Sequence, residues 1–92
     1  MPVFEWDEKK EASNFRKHNV SFAEGESVFY DANSLTIPDP DHSVDERRFI
    51  DIGASYKNRI LVVVYTERQD RIRIISVRKA SKTERQMYEQ EN

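Results

Sequence analysis

Apolar and polar positions change their period twice along this chain. Val3 to Trp6 alternate apolar and acidic, which predicts a short strand. From Asp7 the spacing becomes helical. Asp7 is placed to cap the first turn, Glu8 and Glu11 suit the positive end, and Lys17 and His18 suit the negative end. Asn19 tolerates the left-handed conformation that closes a helix. Trp6, Ala12 and Phe15 are expected on the buried side. Ser21-Phe22-Ala23-Glu24 reads as a capping box, with the Glu24 carboxylate returning to the Ser21 backbone. Val20 precedes it as a hydrophobic staple, and Phe22, Val28 and Phe29 form the apolar stripe of a short helix ending near Tyr30–Asn33.

From Leu35 the period is that of strands. Leu35 to Ile37 is stopped by Pro38, and residues 38–43 have loop composition. Arg48, Ile50 and Ile52 alternate with Arg47, Phe49 and Asp51 up to Gly53. Arg59 to Thr66 is almost wholly apolar and β-branched, as in a central strand covered on both faces. Arg71 to Arg78 forms the last strand. Strict alternation puts Ile72, Ile74, Ser76 and Arg78 on one face and Arg71, Arg73, Ile75 and Val77 on the other. Ser81 to Glu84 is a second capping box, opening a final helix in which Met87 and Tyr88 point inward. The order β-α-α-β-β-β-β-α predicts an α+β domain over 1–92, an antiparallel meander packed against helices.

Composition narrows the class. Leu, Ile, Val and Phe total 22 of 92 residues, above the roughly 20% below which chains are disordered. The core is small and 35% of residues are charged. There is no cysteine, which excludes disulfides and thiolate metal sites and fits a reducing, cytoplasmic setting. The longest apolar run, Ile60–Tyr65, is too short to span a bilayer, and the first residues lack the pattern of a secretory signal. Two glycines are too few for a phosphate-binding loop or a dinucleotide fingerprint. The net charge of −2 hides an asymmetry. Residues 1–46 hold four basic and eleven acidic side chains, whereas 47–92 hold eleven basic and six acidic. Arg68 to Arg85 alone contains seven bases against Asp70 and Glu84, which points to an anionic partner or an internal acid–base clasp.

The candidate chemistry follows from that basic stretch. His18 and His42 fall on different elements, and Asp39, Asp41 and Asp45 lack the glycine of a calcium loop, so no metal or other cofactor is expected. Arg71 and Arg73 share a strand face, and Arg78, Lys79 and Arg85 follow. Guanidinium groups match phosphate in charge and shape. With Tyr65 and Tyr88 as stacking surfaces, the cluster could hold single-stranded RNA, or it could stabilise a phosphorane-like transition state. The structural alternative pairs Arg71 and Arg73 with Asp51 and Glu67. His18 is either a proton carrier or a cation at a helix end, and Glu46 is either a general base or a partner for an arginine.

Taken in order, several segments resemble the BrnT family of toxins of type II toxin–antitoxin systems. They are Phe4-Glu5-Trp6-Asp7, Asn14 with Lys17-His18, Ser21-Phe22, Glu46-Arg47, Val63-Val64-Tyr65, Ile72 through Ala80, Glu84-Arg85 and Tyr88. The resemblance implies a small RelE-like fold and a ribonuclease that blocks translation. It also implies a BrnA-type antitoxin that joins the toxin in a 2:2 heterotetramer and binds promoter DNA. Three positions depart from the family pattern: Asn19 stands for a frequent Gly, and Gly25 and Val77 each stand for a usual Ala.

On this basis Arg73, Arg78, Glu46 and His18 are expected to be catalytic, with Arg73 and Arg78 on the phosphate and Glu46 or His18 on the protons. Lys79, Arg85, Tyr65, Tyr88 and Arg47 are expected to bind RNA. The alternatives are a non-catalytic basic binding module, or a RelE/ParE-like toxin with a target other than RNA.

Overall fold

A computed structural model describes residues 2–39 and 47–91. The first strand, β1 (Val3–Glu5), leads into helix α1 (Glu8–His18). Asp7 caps α1 by accepting from the Lys9 and Lys10 amides at 2.8 and 3.1 Å, bonds that hold its carboxyl below its ordinary range. Asn19 closes the helix in the left-handed conformation, at φ 57°. Helix α2 (Phe22–Glu26) continues into a 3₁₀ turn, Ser27–Tyr30. Ser21 accepts from the Glu24 amide as expected, but the return bond differs. The Phe22 amide donates to Glu11 of α1, while the Glu24 carboxylate turns inward. The box at Ser81 is complete and opens α3 (Lys82–Gln90).

The remaining strands are β2 (Leu35–Pro38), β3 (Arg48–Ala54), β4 (Ile60–Arg68) and β5 (Arg71–Lys79). They form an antiparallel meander in the predicted order. β1 returns to the far edge of β5 in parallel, giving the sheet order β1-β5-β4-β3-β2. The alternation expected for β5 fails at one point. Tyr65 lies opposite Ile74 and Val64 opposite Ser76, so Ile75 is an extra residue. This bulge puts Ile74 and Val77 on the same face, both buried, and turns Arg73, Ser76 and Arg78 to the other.

The first face carries the main core. Leu61, Val63, Tyr65, Ile74 and Val77 pack there against Val20, Phe22 and Val28. Rings extend that core as a chain: Phe4 lies 5.0 Å from Phe29, Phe29 lies 4.8 Å from Tyr65, and Tyr65 lies 5.7 Å from Phe49. On the opposite face Ile52 and Val62 are also buried, and α3 packs against β3. The α3 helix buries no residue completely. Polar contacts hold it: Arg78 grips Glu84 with two bonds of 2.7 and 2.8 Å, and the Tyr88 hydroxyl donates to Asp31 at 2.7 Å. Arg78 thereby pulls the Glu84 carboxyl down to about 2. None of the described helices is long and apolar enough to cross a membrane.

Gly25 and Val77, two positions where the resemblance leads to an expectation of Ala, turn out to touch. A Cβ on Gly25 would come within 2.5 Å of the Val77 Cγ2 and 3.0 Å of its Cγ1. The larger Val77 fills the room that a residue with a Cβ would need at position 25. Gly25→Ala gains about 1 kcal/mol of helix propensity, but overpacking of this kind costs about 1–3 kcal/mol. The single substitution is therefore expected to destabilise. Combined with Val77→Ala it should lose much of that cost, with a coupling of about 0.5–3 kcal/mol. Urea unfolding of both single variants and the double variant measures the coupling, and additive effects would contradict the contact.

Inside α1 the expected burial is reversed. Ala12 is exposed and Phe15 is 47% exposed, whereas Asn14 is buried. The α1 helix lies along an edge of the sheet, where the strand presents unpaired peptide groups, so an amide fits better than a ring.

Candidate active site

The edge of β5 decides how the site is built. β1 covers it only as far as Arg73. Beyond that point the backbone of Val77 needs partners, since buried peptide groups are almost always paired. Asn14 supplies them. The Val77 amide donates to Asn14 Oδ1 at 3.2 Å, and Asn14 Nδ2 donates to the carbonyls of Val77 at 2.8 Å and Val20 at 3.4 Å. One side-chain amide thus does the work of a neighbouring strand residue and fixes α1 against β5.

Between them lies a cleft of about 230 Å³ lined by Lys10, Ser13, Asn14, Lys17, His18, Ile75 and Ser76. The helical residues fall three and four apart, which puts them on one face of α1. The bulge helps to shape the opposite wall, because Ile75 and Ser76 are the residues at which the strand changes face. Among the described residues no acid lines the cleft. Arg73 stands two residues before Ile75 on the same strand, with its Nη1 3.5 Å from Glu5. The cleft therefore offers two ammonium groups, two hydroxyls and an imidazole, the ring that both accepts and donates protons near neutrality. Such a set can bind a phosphodiester, offset added negative charge on it and move a proton.

The other expected residues divide. Lys79 and Arg85 come together with Arg59 around a second hollow. Both terminal nitrogens of the Arg78 guanidinium are engaged by Glu84. Tyr65 offers no stacking surface. It is 4% exposed, and its hydroxyl donates to Asp51 at 2.9 Å; burial and that carboxylate raise its pKa. Tyr88 is half-buried with its hydroxyl on Asp31, an interaction that pushes it up to about 12. Arg47 is exposed, its guanidinium 5.3 Å from the centre of the Phe49 ring. Arg73 pairs with Glu5, and neither Asp51 nor Glu67 is its partner, as Asp51 is taken by Tyr65. Glu46, His42, Asp41 and Asp45 lie outside the described residues. Among those described, no three potential metal ligands converge.

Sequence reasoning missed Lys10, Ser13, Ser76 and the structural part of Asn14. The signal was present: Lys10, Asn14 and Lys17, with Ser13 and His18 beside them, repeat at the helical period. It was hidden because the stripe is polar, and periodicity is usually sought among apolar residues.

Comparison with known proteins identifies the family. Residues 6–84 match the family model described as the ribonuclease toxin BrnT of type II toxin–antitoxin systems. The crystal structure of the Brucella abortus ribonuclease toxin BrnT superposes with a TM-score of 0.70 at 26% sequence identity, covering 89% of this chain and all of that one. A search of curated proteins returned no match. The match spans α1, α2, all four meander strands and the start of α3, and on that extent the chain belongs to the BrnT family of ribonuclease toxins.

Proposed function

We propose that this chain is a single toxin domain that cuts RNA without a metal ion, in the cleft between α1 and β5. The observation that carries the reading is the convergence of Lys10, Lys17 and His18 on one wall, opposite Ser76, with Arg73 earlier on the same strand. RNA can be cut by its own 2′-hydroxyl. That oxygen attacks the adjacent phosphorus, the bond from phosphorus to the 5′-oxygen breaks, and a cyclic phosphate and a 5′-hydroxyl result. One proton must leave the 2′-oxygen and one must reach the 5′-oxygen. His18 handles one of these transfers, with Glu46 as candidate for the other. Lys10, Lys17 and Arg73 offset the charge that builds on the phosphorane. Arg78 serves instead to fasten α3.

The same reading makes translation the process that is blocked and the cytoplasm the place. It makes a BrnA-type antitoxin the neutralising partner, in a 2:2 complex that binds promoter DNA through the antitoxin. Family membership supports these points. The test is cleavage of a purified RNA in the presence of a chelator, with primer extension on cellular RNA after induction. Discrete new 5′ ends and chelator-resistant cleavage are expected. Growth arrest with RNA left whole would count against the reading and favour a target other than RNA.

A further inference from the structure

The second hollow has no part in the chemistry just described. It measures about 410 Å³ and lies where the start of β4, the end of β5 and the start of α3 meet. Its charged lining is Arg59, Lys79 and Arg85, with no acid among the lining residues. Lys79 and Arg85 are exposed and have no carboxylate partner among the described residues. Arg59 differs from them. Its Nε and Nη2 are fixed on the buried Glu24, which holds the guanidinium still and leaves Nη1 uncommitted. The neighbouring helix end adds nothing, since Ser81 and Glu84 already satisfy it. The hollow is thus a cationic pocket with one rigid fork and two mobile charges, a combination suited to a phosphate diester.

Its position gives it a use. Ser76 lines the cleft and Lys79 the hollow, three residues apart on one strand and on opposite faces of it, so a strand reaching both crosses the sheet edge. At about 3.3 Å per residue that is a separation of about 10 Å. That is a lower bound on the span, so the two phosphates are not neighbours on the strand.

We propose that the hollow is a second phosphate subsite, gripping the same RNA strand a few nucleotides from the phosphate in the cleft. The proposal rests on the ribonuclease reading of that cleft. It makes the enzyme measure a stretch of single strand and favour substrates long enough to fill both places.

The experiment compares native protein with Lys79→Ala, Arg85→Ala and the double variant. Both positions are exposed, and equal thermal midpoints verify the fold. Binding is read on a labelled oligonucleotide with 2′-deoxy sugars, which cannot be cut by 2′-hydroxyl attack, over a range of salt. Each lost contact should lower the slope of log K against log salt by about 0.7, so the double variant should lose about 1.4. On a cleavable oligonucleotide the double variant should raise KM ten-fold or more and lower kcat much less, and the gap from native protein should narrow on a dinucleotide. An unchanged salt slope, or an equal gap on long and short substrates, overturns the subsite. So does weakened antitoxin binding with RNA binding intact, which would make the hollow a protein contact. A protein that shows the slope change yet cuts no RNA keeps the subsite and loses the ribonuclease reading.

Discussion

Replacing His18 with alanine is expected to lower kcat for RNA cleavage by about 10²–10⁴-fold, the range that a positioned proton carrier contributes. The expectation follows from the makeup of the cleft, where His18 supplies the imidazole and the other charged side chains are lysines. Lysine neutralises phosphate well, but it is a poor match for a proton shuttle near neutral pH. The change should act mainly on kcat, because Lys10 and Lys17 keep the ground-state attraction. The fold should survive, since His18 is only half-buried and ends α1. Single-turnover cleavage with circular dichroism on the same sample measures both effects. A folded variant that cuts at the native rate would remove His18 from the chemistry.

The second large effect concerns stability. Glu24 is 1% exposed on α2, and its carboxylate accepts from Arg59 through both Nε and Nη2 and from the Ser55 hydroxyl at 2.7 Å. It fastens α2 to the turn between β3 and β4. A buried pair of this sort adds little net stability over an apolar one, but removing Glu24 leaves its partners unpaired; because Arg59 is 29% exposed, the loss is expected at the low end for such a pair, about 3 kcal/mol. Glu24→Ala should therefore lower the thermal midpoint by about 12 °C or more. Glu24→Gln keeps a hydrogen-bonding oxygen for Ser55 and should cost less.

The pH dependence has a definite sign. The hydrogen bond from Arg59 holds the folded Glu24 carboxyl below its ordinary 4.5. Its contribution is therefore present above that value and is lost as pH falls through the lower folded value. Asp51 acts in the opposite sense. Burial raises its pKa, so ionising it works against the fold once the pH exceeds its ordinary 3.8. Urea melts in acid should then show a smaller loss for Glu24→Ala than at neutral pH. An equal loss at both would mean that the ion pair is not the source.

Most of the fold was legible in the sequence because its stops and starts are chemically marked. Asp7, Asn19, Ser21 and Ser81 cap as their residue types demand, and the apolar run of β4 is central as expected. The faces of β5 were not legible. Alternation counts residues, and Ile75 is one residue too many for its partner strand. That extra residue reversed the assignment of Val77, and with it the view of what lies behind Ser76. The inward Asn14 escaped for a related reason: it satisfies a strand edge that only the tertiary fold creates. In the site, His18, Lys79 and Arg85 stood out by charge. The commitment of Arg78 to Glu84 did not, because the second role of Glu84, in the capping box, already gave that acid a purpose.

The contact between Gly25 and Val77 also bears on how such a chain can have arisen. Starting from alanine at both positions, two substitutions must occur, and their order matters. Enlarging position 77 first drives methyls into the Cβ of α2. Shrinking position 25 first leaves only a small void and a looser helix turn. The second route is the passable one: Val77 beside an alanine at 25 carries the overpacking cost, whereas Gly25 beside an alanine at 77 carries only the smaller one.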